Sequence, residues 1–423
     1  MSQPAPLVID LQTGLLKTDL AREAFWRAAS AGDVLNAARG AHDAWAEADQ
    51  SELRALPLDG AIVEHMRRRR AEGARVVLVS EAPQVLASRF AEALDADEAI
   101  GGAPSGPARD KLLAERFAET GYEYVASRQR VVEVSSYARA LRPHQWAKNL
   151  LVFLPMIAAH RFDGATLLWS LLAFVAFSLV ASSVYILNDL LDLAADRAHP
   201  RKRNRPMASG AVPLDHAAIM GAVCLAGGFV VAIAAGPMFV LVLTAYTLLT
   251  TAYSLRLKRE PVLDICVLAA LYTLRIAAGS AATGIYLSVW LLAFAIFIFL
   301  SLAAIKRQTE LVDNLAAGKE KPAGRGYRVG DLPIVEIMAV ASGYVSVLVL
   351  ALYVNTPTVV SLYGRPEFLW VVCAVLVYWI SRAAMIAHRG EMDDDPVVFA
   401  LRDRVSQICG LVALVALAAA TWV

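Results

Sequence analysis

Long apolar runs, which begin only after Asn149, constrain this chain more than any other feature of it. Measured against the roughly 20 residues that a helix needs to cross a bilayer, they predict spans at about 148–159, 167–187, 217–235, 238–253, 262–280, 287–305, 334–354, 368–387 and 406–423. The first is short, and the turns at Gly236-Pro237 and Gly284 make close hairpins, so the expected nine spans are fixed to about one. Composition points the same way. With 57% hydrophobic and 19% charged residues among 423 and a mean hydropathy of +0.50, the chain is too apolar for an ordinary soluble protein.

Charge placement supplies an independent test. With the N-terminus inside, nine spans leave four loops on the cytoplasmic side, at 188–216, 254–261, 306–333 and 388–405, and all four are rich in Arg and Lys. The opposite loops, at 160–166, 236–237, 281–286 and 355–367, hold scattered charge, as the positive-inside rule requires. No basic region, apolar core and cleavage site open the chain, so the first domain is expected to stay in the cytoplasm and the rest in the inner (cytoplasmic) membrane. A net charge of +1 gives no reason to expect a nucleic-acid partner. Cys224, Cys266, Cys373 and Cys409 all lie in apolar runs without metal-type spacing and read as small hydrophobes.

Residues 1–137 carry charge at a soluble density and are expected to form an α/β domain, with 138–423 as the membrane domain. Leu7–Asp10 reads as a buried strand ending in an acid, and Ala74–Ser80 as one ending in a hydroxyl. Helical patterns between them predict a mainly parallel sheet with functional groups at the carboxyl ends of its strands. Asp10, Ser80 and Lys111 resemble the first three signature positions of haloacid-dehalogenase-like phosphatases, whose first motif, DxDGT, supplies a nucleophile and a general acid. Here it reads Asp10-Leu11-Gln12-Thr13-Gly14, and Gln12 cannot transfer a proton as a carboxylic acid does. Where that family places further carboxylates, after Tyr124-Val125, this chain continues Ala126-Ser127-Arg128-Gln129-Arg130. The expectation is an inactive domain with a structural or regulatory role.

The stretch Asn188–Gly210 is one of the most polar in the chain. On one helix Asn188, Asp192 and Asp196 would fall at i, i+4 and i+8, a stripe drifting by about 40° per step. Such hard oxygen donors suit Mg²⁺, with water and substrate phosphate completing its shell. Lys202, Arg203 and Arg205 follow, with charge for donor phosphates. Further polar clusters at the cytoplasmic ends of other spans include Arg142 and Lys148, Tyr253, Lys258 and Asp264, and Lys306. Their recurrence on one side suggests a single wet site.

Asn188, Asp189, Asp192 and Asp196 resemble the NDxxDxxxD signature of the UbiA superfamily of intramembrane prenyltransferases, which implies a nine-helix all-α bundle over residues 140–423. The resemblance implies that Asn188, Asp192 and Asp196 hold Mg²⁺ and a donor diphosphate. Members using prenyl diphosphates carry a second motif, DxxxD, before the fifth helix; here Tyr253 to Asp264 holds one well-placed Asp among several cations. The opening Leu141-Arg142-Pro143-His144-Gln145-Trp146-Ala147-Lys148-Asn149, the basic run Arg197–Pro206 and Ala400–Arg404 look like decaprenyl-phosphate phosphoribosyltransferases. That implies phosphoribosyl diphosphate as donor and a polyprenyl phosphate as lipid acceptor. Lys202, Arg203 and Arg205 would then bind donor phosphates and Arg142, Lys148 and Lys258 the lipid phosphate, with Asp189 and Lys306 in the substrate-binding set and Tyr253 and Asp264 positioning neighbours. Two alternatives stand beside this: prenyl transfer to an aromatic or other small acceptor, and a non-catalytic lipid transporter or scaffold. Donor, acceptor, chain length and oligomeric state are left open.

Overall fold

A computed structural model describes residues 4–32, 45, 48–126, 132–322, 325–392 and 396–422. The basic residues Arg128 and Arg130, expected where a phosphatase would hold its metal, lie outside the described residues. The chain divides into two compact units, Met1–Pro143 with Ser182–Leu225, and His144–Ala181 with Ala226–Val423.

Within the first unit, β1 (Leu7–Asp10), β2 (Val76–Val79), β3 (Glu98–Ile100) and β4 (Glu123–Val125) form one sheet in the order β3-β2-β1-β4. All three pairings are parallel, with Asp10 opposite Val79. The runs Leu-Val-Ile and Val-Val-Leu-Val are buried on both faces, as parallel strands covered by helices must be. Leu7, Ile9, Val76 and Leu78 pack with Leu53, Leu86 and Phe90 on one side, while Val8, Val77 and Val79 meet Leu113 and Phe117 on the other. A third cluster joins Ile186, Leu190, Leu193, Met207 and Leu214 with Trp26 and Tyr137 packed against it.

Eight helices among the described residues are long and apolar enough to cross a membrane: Gly164–Leu191, Leu214–Ala235, Pro237–Leu255, Leu263–Thr283, Val289–Ala316, Val329–Val354, Pro366–His388 and Arg404–Thr421. The expected first span is the exception. Pro143–Phe153 winds as tight 3-10 turns and only Leu154–Ala158 is α-helical. Pro155 lacks an N–H and crowds the preceding turn, so it admits a helix start at that point but not one long helix running through it. Elsewhere in the second unit hydroxyls on apolar helices stay satisfied by main-chain oxygens: Ser301 donates to Ala339 O at 2.6 Å and Ser346 to Gly343 O at 2.6 Å.

Candidate active site

The polar stretch after the first long helix does not continue as one helix. Gly164–Leu191 ends at Asp192, whose backbone leaves the helical region (φ −98, ψ 13), and a short helix, Leu193–Ala198, restarts beyond it. The spacing survives in the main chain, since Asp192 N donates to Asn188 O and Asp196 N to Asp192 O at 2.9 and 2.8 Å. The side chains nevertheless differ in burial. Asp189 and Asp196 are buried, Asn188 is half-buried, and Asp192 is exposed.

Arginines organise the buried pair. Arg205 Nη1 lies 3.0 Å from Asp189 Oδ1 and 2.6 Å from Asp196 Oδ2. Arg142 also bonds Asp189 and rests 5.2 Å from the Tyr185 ring centroid. Its φ of +53° is unusual for a residue with a long side chain. Asp189 is thus held by two guanidiniums and Asp196 by one. Burial pushes the Asp196 carboxyl above the usual aspartate range, and Arg205 only partly offsets it. Lys202 and Arg203 sit exposed on a short turn, Lys202–Asn204.

The donor set fits Mg²⁺. Among the described residues no three His, Cys, Asp or Glu groups assemble to hold a metal unaided. Mg²⁺ does not need them, since it uses one or two carboxylates with water and substrate phosphate. Asp192 offers an open carboxylate, and Asp196 a buried one whose negative charge a second cation would relieve.

A different arrangement surrounds Asp264 in the second unit. Its carboxylate is fully buried, accepts a bond from Tyr253 Oη at 2.8 Å, and lies 2.8 Å from Arg307 Nε and 3.4 Å from Arg325 Nη1. Arg307 Nη2 donates to Asp264 Oδ1 at 3.4 Å, while its Nε contact with Oδ2 is an ion pair without a hydrogen bond. Arg307 also pairs with Glu310, and Arg325 Nε lies 3.7 Å from the same Glu310. Behind them Tyr327 Oη accepts from Val262 N at 2.7 Å. Val262 is β-branched yet has φ +65°, a strain this contact helps to hold. Gly326 is required because a Cβ there would meet Arg259 O at 2.0 Å. Lys258 is half-buried on the turn Leu257–Arg259, and Lys306 is half-buried on the helix Val289–Ala316.

Sequence reasoning missed two arginines here. Arg325 sits in a loop, and nothing in its spacing points to Asp264. Arg275 lies on the helix Leu263–Thr283 and is buried with neutral partners: Asn149 Oδ1 at 2.8 Å, Tyr246 Oη at 3.0 Å and the Leu271 carbonyl. The Tyr272 ring lies 5.4 Å from Arg275 and 6.0 Å from Lys148 Nζ. The sequence signal for Arg275 is a cation inside an otherwise apolar helix.

In the first unit's sheet, Asp10 lies at the carboxyl end of β1 and caps the next turn by accepting from Thr13 N at 2.8 Å. Gln12 donates to Ser80 Oγ at 2.9 Å. Lys111, expected to complete this site, is instead 80% exposed beside Glu115. The helix Pro107–Arg116 turns Arg109 inward, two positions earlier, where it bonds Asp10, Glu81 Oε1 at 2.7 Å and Pro104 O at 2.8 Å.

Comparison with known proteins agrees with both parts of this description. Residues 150–420 match the model of the UbiA prenyltransferase family, and residues 7–150 that of haloacid dehalogenase-like hydrolases. A relative spanning nearly the whole chain is the uncharacterized protein y4nM of Sinorhizobium fredii, 33% identical over 96% of this chain and 89% of that one. Decaprenyl-phosphate phosphoribosyltransferase of Mycobacterium tuberculosis is 41% identical over 42% of this chain and 61% of its own length. A UbiA homologue from Archaeoglobus fulgidus bound to GPP and Mg²⁺ shares the fold, with TM-score 0.50 and 19% identity over 67% of this chain and 98% of that one.

Proposed function

The chain belongs to the UbiA prenyltransferase family, a family of membrane transferases, and within it we propose a Mg²⁺-dependent transfer of phosphoribose from phosphoribosyl diphosphate to a polyprenyl phosphate. The observation that carries this reading is the state of Asp264. A second acidic metal clamp, as a prenyl diphosphate donor would require, needs carboxylates open to an ion, and this one is engaged by Arg307, Arg325 and Tyr253. Around it lies basic charge suited to substrates that carry phosphate. Similarity to the mycobacterial phosphoribosyltransferase supports the same choice.

In this reading Asn188, Asp192 and Asp196 hold the ion, and Lys202, Arg203 and Arg205 bind the donor's phosphates. When bound, the ion supplies Lewis-acid neutralisation of the departing diphosphate. Asp189 keeps Arg142 and Arg205 in place, so that their guanidiniums are oriented before substrate arrives. Arg142, Lys148 and Lys258 serve the lipid phosphate, with Lys306 in the same substrate-binding set, and Tyr253 and Asp264 fix the basic side chains about them. The bond from the anomeric carbon to the diphosphate oxygen breaks, its electron pair leaving with diphosphate through an oxocarbenium-like state. A lipid phosphate oxygen forms the new bond. The acceptor is already anionic, so no general base is needed. The N-terminal site is assigned no hydrolysis: Gln12 replaces the acid, and Arg109 supplies the cation against Asp10. We place the N-terminal domain, near 1–137, and the transferase site on the cytoplasmic side of the inner membrane.

Membranes containing the protein, offered labelled phosphoribosyl diphosphate with polyprenyl phosphate and, separately, labelled geranylgeranyl diphosphate with aromatic acceptors, test the reading. Ribosyl label entering lipid supports it. Prenyl label entering product instead overturns it in favour of a prenyltransferase proper, and incorporation of neither favours a transporter or scaffold.

A further inference from the structure

One buried ion pair in the first unit has no part in the chemistry proposed above. Glu23 lies on the helix Leu20–Ser30, whose first turn is capped by Asp19 accepting from Arg22 N at 2.9 Å. Across 174 residues of sequence Glu23 meets Arg197, with Nη1 2.9 Å from Oε2 and Nη2 2.5 Å from Oε1. Their side chains are only 3% and 6% exposed. Two parallel bonds between a fork and a carboxylate fix orientation as well as distance. Thr18 Oγ1 donates to the same carboxylate at 2.6 Å, so Glu23 is itself oriented.

The position of Arg197 gives this pair its meaning. It follows Asp196 directly, and its remaining Nε donates to Ala208 O at 3.1 Å. One guanidinium therefore ties together the two ends of the loop 197–208, which contains Lys202, Arg203 and Arg205, and fastens both to the N-terminal helix. Nearby contacts repeat the attachment. Arg22 Nη1 lies 3.0 Å from Asp215 Oδ2. Gly210, at φ +69°, approaches so closely that a Cβ would stand 2.7 Å from Lys17 Cβ. Trp26 packs against the cluster of Leu190, Leu193 and Met207.

A buried ion pair is a poor source of net stability, because desolvation consumes most of the attraction, but it can specify one geometry among several. We propose that the N-terminal domain is a positioning arm of the transferase, with Glu23 and Arg197 as positioning residues that hold Asp196 and Arg205 in the donor-binding arrangement. This explains how a domain whose own phosphatase-like site is closed by Arg109 still serves the enzyme. The inference rests on the reading of Asp192 to Arg205 as the donor site.

The test uses the full chain in lipid nanodiscs. Glu23→Gln, nearly isosteric, is expected to raise KM for phosphoribosyl diphosphate by about tenfold or more, the scale on which small misplacements act, while KM for the polyprenyl phosphate stays unchanged. Pairing Glu23→Arg with Arg197→Glu is expected to recover much of that loss. Arg22→Ala, which removes the more exposed flanking pair to Asp215 but leaves the Glu23–Arg197 fork in place, is expected to raise the donor KM less than twofold, as a surface pair contributes little. A second readout needs no substrate: trypsin should cut after Lys202 and Arg203 faster in Glu23→Gln than in wild type. Unchanged donor KM with unchanged cleavage overturns the proposal, and so does a parallel rise of both KM values with a lowered melting temperature, which marks a purely structural contact. If the wild-type protein does not use phosphoribosyl diphosphate, the donor assignment fails by itself, and the cleavage rates still decide whether Glu23 orders the loop.

Discussion

Two places in the first unit set deeply buried aspartate against arginine, and they differ in what is left open. At the end of β1, Asp10 is fully buried and the Arg109 side chain is 7% exposed, with Pro104 O, Glu81 and Asp10 occupying its donors. At the end of the helix Gly164–Leu191, Asp189 and Asp196 are as deeply buried, but Arg205 is 28% exposed. Asp192, Lys202 and Arg203 stand in the open beside it. A guanidinium sealed against one carboxylate acts as a fixed internal counter-ion. One shared between two carboxylates at the edge of exposed basic charge keeps part of its surface open to solvent, and the proposed donor site relies on that difference. The residue types alone do not separate the two; accessibility and the ratio of carboxylates to cations do.

Breaking the open site should have the larger consequence for activity. Asp192→Ala and Asp196→Ala are each expected to lower phosphoribosyl transfer on the order of a hundredfold to a thousandfold, as losing a group that stabilises developing charge does, with the circular dichroism spectrum unchanged. Wild-type turnover by either variant would remove the metal assignment. Asp264→Asn attacks stability instead: removing the fully buried carboxylate that faces Arg307 and Arg325, with Glu310 left as their remaining partner, is expected to cost up to about 3 kcal/mol, read as a lower melting temperature in nanodiscs. Asp189→Asn loosens Arg142 and Arg205 without touching Asp192 or Asp196, and about a tenfold loss of kcat/KM is expected from the poorer orientation. Asp10→Asn marks the small end of the series. Transfer should stay within about twofold of wild type, since Glu81 and Pro104 O still hold Arg109 and sites without shared partners act independently, and hydrolysis of an aryl phosphate with Mg²⁺ should be absent before and after the change. Hydrolysis by the wild-type chain that disappears in Asp10→Asn would make the closed site an active one.

Much of this was legible in the sequence because it depends on local pattern. Apolar runs located the eight long helices, and a four-residue acidic spacing marked the polar loop. Alternating strand and helix signals gave a parallel sheet ending in Asp10. What escaped were contacts between residues remote in sequence. No spacing rule brings Arg109 rather than Lys111 to Asp10, because which face of Pro107–Arg116 turns inward is set by packing of Leu113 against the sheet. The arginines about Asp264 come from a helix and a loop some 40 to 60 residues away. The helix break at Asp192 was hidden for the opposite reason: the i, i+4 hydrogen bonds persist through it, so the sequence periodicity looks unbroken while the burial of the side chains differs from one position to the next. The first segment, expected to be short, departs furthest from a spanning helix, because apolar character does not register the interruption at Pro155.

The central claim is that the open cluster takes a ribosyl diphosphate and its metal while the Asp264 cluster takes no metal. The most direct measurement is a cryo-EM map of the protein in nanodiscs with Mg²⁺ and phosphoribosyl diphosphate. Density for an ion against Asp192 and Asp196, with diphosphate reaching Arg205 and Asp264 still bound to Arg307, is the result expected. An ion bound at Asp264, or a prenyl diphosphate carried through purification in place of the ribosyl donor, would contradict the account.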